Sequence, residues 1–505
     1  MKFLEILRFE LAYQFRRAWP WLAFAVMVIF AYENTRAGVL PVTLPKDFIL
    51  NSPFIITSVT VFSCLIWLLV ASPLAGETVA RDVQTGMHPL MYTMPVSKTE
   101  YLGGRWLAGF VLNTFVLLGV QVGSVLGVYF GGVDPEIIGP FRIASHLAAF
   151  GFIALPNAFL ATTVQFLFAL VSGRAIASYF GSVLLLFFTV PVPFAVYFAL
   201  GKPDVAKLLD PIGLIAIMNE MITEWTIVEK NVRMFTLEGA MLWNRLLWFG
   251  VGCVILGLVF MRFRFAHRTA DFSIPLVRRF RRKALVLETS APAIRSVSVP
   301  VVEQKFGFAT RLRQALAIGS SSFWMLAKSP AGLFMLVLFP MLLVLVTYSQ
   351  SEQWGIALIP RTGYILTKHL LAPITYASDY RLMIPLLIIF FAGEVVWRER
   401  DARLSENVDA TSVPEWVLLI GKFLGLALVL ATYMLVVMAV GMITQVIMGY
   451  YNFEIGLYLR ILFGLQLPEY LLFAMLALMV QVVVNQKYVA LLVTLSVYFL
   501  IIFSS

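Results

Sequence analysis

Long apolar runs, each close to the length needed to cross a lipid bilayer, recur along this chain and limit its fold more than any other feature. A transmembrane helix needs roughly 20 mostly apolar residues. With 60% hydrophobic and only 13% charged residues, the chain also has too little polar surface for a soluble protein of this length. We predict an all-α polytopic membrane protein of about eleven transmembrane helices. The predicted spans are 18–35, 53–75, 101–130, 143–171, 175–200, 241–261, 330–348, 380–396, 415–448, 457–483 and 488–503.

One stretch of the chain occurs twice. Shifting residues 75–106 forward by 317 positions aligns them without a gap on residues 392–423. Identical residues in this alignment include Ala75, Gly76, Glu77, Val79, Arg81, Val96 and Gly104, which match Ala392, Gly393, Glu394, Val396, Arg398, Val413 and Gly421. A repeat of this kind in a membrane protein predicts two similar halves with a pathway between or beside them.

The repeated stretch has the pattern of a helix that leaves the membrane and re-enters it. Glu77 and Arg81 are four residues apart, so on a helix they share a face and can pair. Ser97 and Glu100 have the spacing of a capping box, which predicts the start of the third span. Ser412 and Glu415 have the same spacing in the second copy. We expect two rigid knobs on one side of the membrane, on which a soluble partner can push.

Charge and composition predict the orientation and the boundaries of the halves. If the N-terminus is cytoplasmic, the inside segments hold 26 of the 38 Lys and Arg residues, as expected for cytoplasmic loops. The net charge of +10 is therefore a sign of topology and not of nucleic-acid binding. We predict a first half at 1–262, a basic cytoplasmic linker at 263–314 and a second half at 315–505. Interfacial elbow helices are predicted at 4–17 and 315–327. In the first, apolar residues recur at helical spacing and charged residues occupy the other faces.

Each half has a proline inside a span. Pro156 with Asn157, and Pro468 with Glu469, follow a leucine in the fourth and tenth spans. A proline removes one backbone hydrogen bond and bends the helix, so we expect kinks at matching depth. These four residues could line a pathway. Alternatively, Glu469 lies near the outer interface or pairs with Arg460.

The chain lacks the motifs of an enzyme. It contains no G-x-x-x-x-G-K-[ST], no H-E-x-x-H and no G-x-S-x-G, and its four histidines are scattered. Cys64 and Cys253 both fall in apolar runs, so they predict neither a disulfide framework nor a Cys-based metal site. We therefore expect no catalytic, cofactor or metal site within these residues.

Taken together, these motifs resemble those of type-2 ABC transporter permeases. The elbow helix at 4–17, the acidic-basic segment Glu77–Asp82 and the Met94–Ser97 turn carry the resemblance. It implies a coupling helix that docks on a separate cytoplasmic ABC ATPase. The residues to which the resemblance assigns this coupling role are Glu77, Arg81, Asp82, Glu394, Arg398 and Glu399. Residues 397–410 also resemble the permease region of larger bacterial proteins that continue into a zinc aminopeptidase domain.

The function that this resemblance implies is that of a membrane permease in an ATP-driven exporter of the bacterial inner membrane. The ATP and Mg would be bound by the partner ATPase, of which the two fused halves would engage two copies. One alternative is the membrane anchor of a larger enzyme whose catalytic domain lies beyond Ser505, since the second half ends about one span early. A scaffold that transports nothing is the other. The sequence does not reveal the substrate.

Overall fold

We describe the protein from a computed structural model. The described residues are 2–36, 49–263, 307–349, 352–353, 356–357, 359–375, 379–401, 408, 410–484 and 486–504. Most of the predicted linker, residues 264–306, lies outside them, as does much of the segment after Asp401.

The described part of the first half is built of helices joined by short turns. They are α1 (Lys2–Phe15), α2 (Ala18–Arg36), α3 (Pro53–Val70), α4 (Ser72–Gln84), α5 (His88–Thr93), α6 (Lys98–Phe130), α7 (Ile143–Ala149), α8 (Leu155–Ser172), α9 (Ala177–Thr189), α10 (Pro191–Ala199), α11 (Pro203–Leu209), α12 (Leu214–Met218), α13 (Ile227–Val232) and α14 (Gly239–Arg262). A 3₁₀ turn forms at Pro135–Ile137, and π-helical turns form at Phe150–Ala154 and Asn219–Glu224.

The second half repeats the helical plan. Its helices are α15 (Phe308–Ala327), α16 (Pro330–Leu333), α17 (Phe339–Ser349), α18 (Thr362–Ile365), α19 (Met383–Asp401), α20 (Glu415–Ile447), α21 (Ile455–Tyr458), α22 (Leu467–Val483) and α23 (Lys487–Ser504). Its π-helical turns are Phe334–Leu338, Leu366–Leu370 and Leu459–Gln466, with a 3₁₀ turn at Asp379–Leu382. Two short antiparallel strands, β1 (Glu352–Gln353) and β2 (Ile356–Ala357), form a hairpin.

Helices occupy the positions of all the predicted spans. Among the described residues, eight segments are long and apolar enough to cross a membrane: Pro53–Gln84, Lys98–Phe130, Ile143–Ser172, Ala177–Tyr197, Gly239–Arg262, Pro330–Tyr348, Glu415–Ile447 and Ile455–Val483. The other three predicted spans correspond to α2, α19 and α23. The prediction of an all-α polytopic membrane protein is confirmed.

The register of the sequence repeat extends through the third span of each half. Helices α6 and α20 both have 33 residues. Their first residues are 317 positions apart, and so are their last residues. The repeated glycines at 104 and 421 lie beneath the two elbow helices, α1 and α15. A Cβ on Gly104 would lie 3.0 Å from Ile6, and one on Gly421 would lie 2.7 Å from Ile318. Glycine therefore lets each elbow helix pack closely on the following span.

The two halves meet along a seam of aromatic side chains in which α9 of the first half packs against α19 of the second. The rings of Tyr179 and Phe390 stack with their centroids 6.0 Å apart, and the Tyr179 hydroxyl donates to the Leu386 carbonyl at 3.4 Å. Nearer the other end of α9, Phe187 meets Phe334 edge to face at 4.7 Å. We call this contact the seam.

Candidate functional site

The charged residues of the first repeat copy lie on α4, facing the elbow helix α1. The Arg81 guanidinium donates to both oxygens of the Glu10 carboxylate, at 2.5 and 3.0 Å. Nη2 of Arg105, on α6, lies 2.5 Å from Asp82 and 3.5 Å from Glu10. We call Glu10, Arg81, Asp82 and Arg105 the elbow cluster. It joins three helices through charges of both signs.

The elbow cluster is buried. The side chains of Glu10, Arg105 and Arg81 are 1%, 2% and 12% exposed. Burial raises the pKa of Glu10, whereas the charges of Arg105 and Arg81 act in the opposite direction. Tyr101 adds a hydrogen bond, since its hydroxyl donates to Asp82 at 3.1 Å. Because each charge in the cluster has an opposite partner, removing one member would leave a charge buried without its counterion.

Glu77 and Arg81 do not pair with each other, contrary to the prediction from their spacing. Arg17, just beyond α1, forms an ion pair with Glu77, and Arg81 is bound to Glu10. The Tyr13 ring lies between the two arginines, 4.5 Å from the Arg17 guanidinium and 4.3 Å from that of Arg81. The elbow helix and the residues just after it cover the face of α4 that Glu77 and Arg81 share. Each of the two therefore pairs with a residue of this N-terminal segment.

The coupling residues predicted in the first copy are thus covered by the elbow helix. Glu77 and Asp82 are 6% and 5% exposed. A soluble partner could not reach them without displacing α1.

An equivalent ion pair forms in the second half, between the helix that leaves the membrane and the next one. Nζ of Lys422 on α20 lies 2.6 Å from the Glu399 carboxylate on α19. The repeat register of 317 positions places Asp82 on Glu399 and Arg105 on Lys422, so both pairs occupy the same two positions of the fold. Both join the helix that leaves the membrane to the helix that re-enters it.

The remaining charged positions of the second copy differ from those of the first. Glu394, which corresponds to Glu77, forms an ion pair with Arg174 of the first half. Arg398, which corresponds to Arg81, is exposed. The described part of α15 has no acidic residue in its sequence, so it offers no equivalent of Glu10. The coupling role of Glu394, Arg398 and Glu399 stays a prediction.

The segment between α4 and α6 exposes apolar side chains on this side. Met87, Leu90 and Met94, in and around the short helix α5, are 48%, 56% and 46% exposed. The predicted capping box forms, because the Ser97 side chain accepts from the Glu100 amide while the Glu100 carboxylate accepts from the Ser97 amide. This cap fixes the point at which α5 ends and α6 begins.

The prediction of an equivalent capping box in the second copy, at Ser412 and Glu415, is wrong. The helix α20 begins at Glu415, its N-cap residue is Pro414, and no side chain caps it. Glu415 is the first helical residue, two positions before the third helical residue that reaches back in a capping box. Residues 402–407 and 409 lie outside the described part of the chain.

The predicted kinks coincide with π-helical turns. In both halves such a turn ends directly before the Leu-Pro pair, at Phe150–Ala154 before Pro156 and at Leu459–Gln466 before Pro468. A proline cannot donate to the preceding turn, and a π-helical turn is a common way to absorb the missing bond. The matching position of the two turns agrees with the expected symmetry of the kinks.

The polar residues after these prolines bind neighbouring segments of the chain. Asn157 accepts from Arg245 at 2.8 Å and donates to the Ile212 carbonyl at 3.3 Å. Glu469 accepts from the Ile374 amide at 2.8 Å, and not from Arg460 as one alternative had it. Both residues therefore hold a neighbouring chain segment in place. Their part in a pathway stays a prediction.

A ladder of polar side chains, which the sequence analysis missed, crosses the first half. Nδ2 of Asn113 donates to Thr162 at 2.8 Å and to Gln165 at 3.1 Å, and Gln165 donates to Ser182 at 2.9 Å. We call these four residues the polar ladder. It ties α6, α8 and α9 together within the apolar interior. Their counterparts in the second half are buried apolar residues: Leu430, Ala474, Ala477 and Leu495. The offsets are 317 positions for Leu430, 312 for the two alanines, as for the Leu-Pro pairs, and 313 for Leu495.

Within the described ranges, no group of three His, Cys, Asp or Glu side chains could hold a metal ion.

Comparison with known proteins bears on the second half. Residues 323–502 match the family model for ABC-2 family transporter proteins. The match runs from the end of α15 to the end of α23, and it supports a membrane permease component of an ABC transporter, a part that is not itself catalytic. Such permeases normally work with a cytoplasmic ABC ATPase. The match gives no support to a fusion with an aminopeptidase. No curated protein and no solved structure matches the chain.

Proposed function

We propose that this chain is the membrane permease of an ATP-driven exporter, energised by a separate ABC ATPase on the side where α1 and α5 lie. The proposal rests on two ion pairs at equivalent positions, Asp82 with Arg105 in the first half and Glu399 with Lys422 in the second. The second half also matches the transporter family model. Such a pair transmits a displacement of one helix end to the next span. Two equivalent positions support engagement of two ATPase copies.

The exposed apolar side chains around α5 are the proposed contact with the ATPase. Leu90 is 56% exposed, between Met87 and Met94. The contact rests on α6 through the Ser97 cap and on α4 through the preceding turn. A push on α5 would therefore move both spans, and the elbow cluster would carry α1 with them.

Co-purification from native membranes tests this proposal. We expect the tagged chain to retain an ABC ATPase, identified by mass spectrometry, and Leu90→Asp to lose it. Val228→Asp is the matched control, because Val228 is 73% exposed on α13, which the topology prediction places on the opposite side of the membrane. If no ATPase is retained, or if both variants retain it equally, the proposal is wrong.

A further inference from the structure

An ion pair joins the two halves at one end of the seam. Arg174 lies in the turn between α8 and α9, and Glu394 lies in the last turns of α19, which leaves the membrane on the side of the elbow helices. Their side chains are in contact and are 25% and 13% exposed. Residues 174 and 394 are 220 positions apart, so the pair fixes the relative position of two halves that are far apart in sequence.

The turn that carries Arg174 is itself held in place. The Arg174 amide donates to the Ser172 hydroxyl at 3.2 Å, and that hydroxyl donates to the Arg174 carbonyl at 3.2 Å. Gly173, between them, has a positive φ of 67°, which a residue with a side chain rarely adopts. The guanidinium is therefore presented from a defined backbone and not from a loose loop.

The ion pair is continuous with the seam. Two residues after Arg174, the Ile176 side chain lies 3.2 Å from where a Cβ on Gly393 would be. One turn further, Tyr179 stacks on Phe390. The contact between the halves thus begins with one pair of opposite charges at the membrane edge and continues as buried apolar surface.

The repeat shows that this pair is not imposed by the symmetry of the fold. Glu77 has the same place in the first half as Glu394, yet its ion-pair partner is Arg17 of its own half. The residue that corresponds to Arg174 in the second half is Lys487, at a register of 313 positions. One carboxylate of the repeat thus anchors an elbow helix, and the other bridges the halves.

We propose that Arg174 and Glu394 form a latch that closes the seam between the halves on the elbow side, and that it opens when cargo enters from that side. The inference rests on the proposed permease function. Both side chains keep some contact with solvent, so water can replace the partner of each when the pair separates. A pair without such access, like those of the elbow cluster, would leave buried charges on opening.

Disulfide formation across the seam tests the latch. Cysteines at positions 176 and 393, in a Cys64→Ser and Cys253→Ser background, would form a disulfide when the latch is closed. In native membranes without cargo, we expect Arg174→Glu or Glu394→Arg to slow disulfide formation about fivefold, as loss of a partly exposed ion pair would. The exchanged pair, Arg174→Glu with Glu394→Arg, should restore the rate.

Arg233→Glu is the matched control, because it reverses a charge in an ion pair within one half, with Glu229, and should leave the rate unchanged. If a reversed variant fails to fold, Arg174→Gln and Glu394→Gln give the same comparison. Unchanged rates in the single variants, or no restoration in the exchanged pair, would overturn the latch. These rates need no ATPase, so failure to retain one would count against the exporter and not against the latch.

Discussion

The two copies of the repeated segment share a register and differ in what their charges do. In the first half, Glu10, Arg81, Asp82 and Arg105 form a closed network that binds the elbow helix to two spans. In the second half, only the pair equivalent to Asp82 and Arg105 is kept within the half.

This difference shows that a sequence repeat predicts backbone position better than it predicts side-chain partners. The backbone of a repeat is fixed by packing that both halves share, as at the glycines beneath the elbow helices. The partner of a long charged side chain depends on residues outside the repeat. The acidic residue on α1 has no equivalent on α15, so Arg398 stays exposed where Arg81 is buried.

Reversing the two corresponding arginines gives the largest expected contrast between the halves. Arg81→Glu would place a third carboxylate beside Glu10 and Asp82, and we expect a loss of about 3–5 kcal/mol in unfolding free energy, typical of a broken buried ion pair. Arg398→Glu changes an exposed side chain and should cost no more than about 0.5 kcal/mol. Thermal unfolding of the purified variants in one detergent measures both. Equal losses would contradict the assigned difference in burial.

Neutralising the two equivalent carboxylates gives the next largest effect. Asp82→Asn weakens a charged hydrogen bond to Arg105, which is 2% exposed, so we expect a loss of about 2 kcal/mol. Glu399 is 36% exposed beside Lys422, and Glu399→Gln should cost less than about 1 kcal/mol. Chemical denaturation in lipid nanodiscs would measure the loss of unfolding free energy in each of the two variants. A larger loss for Glu399→Gln would reverse the comparison.

The polar ladder offers a third test of the difference between the halves. Asn113→Leu gives α6 the residue that α20 has at the same position, and it removes two hydrogen bonds within the membrane. We expect a loss of about 1–2 kcal/mol, as for other hydrogen bonds between membrane helices. Hydrogen exchange of α8 and α9 should rise in the variant. If exchange and stability match the wild type, the ladder does not hold these helices together.

A pH-dependent test lies in the outer segment, which has no predicted counterpart in the second half. Burial raises the pKa of Asp210 from 3.8 to about 6, although the Ile215 and Ile212 amides and the Arg245 charge oppose the rise. Since the folded pKa is above the unfolded one, this group's stabilising contribution is present below about pH 4 and is lost as the pH rises towards 6.

The melting temperature should therefore fall over that pH range more in the wild type than in Asp210→Asn. Parallel pH profiles of the two proteins would contradict the raised pKa. The Asp204→Asn variant is a matched control, because the Asp204 side chain is 92% exposed.

Much of the helical framework could be predicted because it depends on local patterns. Apolar runs, the Ser97 cap and the two prolines act within a turn or two of helix, so their consequences can be read from neighbouring residues. Glu77 and Arg81 were misassigned by the same reasoning. Their spacing permits a pair, but α1 supplies partners from 60 and 71 positions away.

Some of the missed contacts were within reach of the repeat. The repeat register places Arg105 on Lys422, beside the matched Gly104 and Gly421, and with Asp82 on Glu399 this match predicts the second ion pair. The latch could not be found in this way, because Arg174 and Glu394 are not related by the repeat. Partners across a symmetric interface depend on how the halves dock, which neither half encodes alone.

The sequence positions of the elbow-cluster residues determine when the cluster can form during synthesis. Its members all lie between residues 10 and 105, so the ribosome has made every one of them before most of the first half exists. This corner of the molecule can close on itself while the rest is still being inserted. Glu394 is synthesised much later, after the helices that flank Arg174 have been made. The join between the halves is therefore among the last contacts to form.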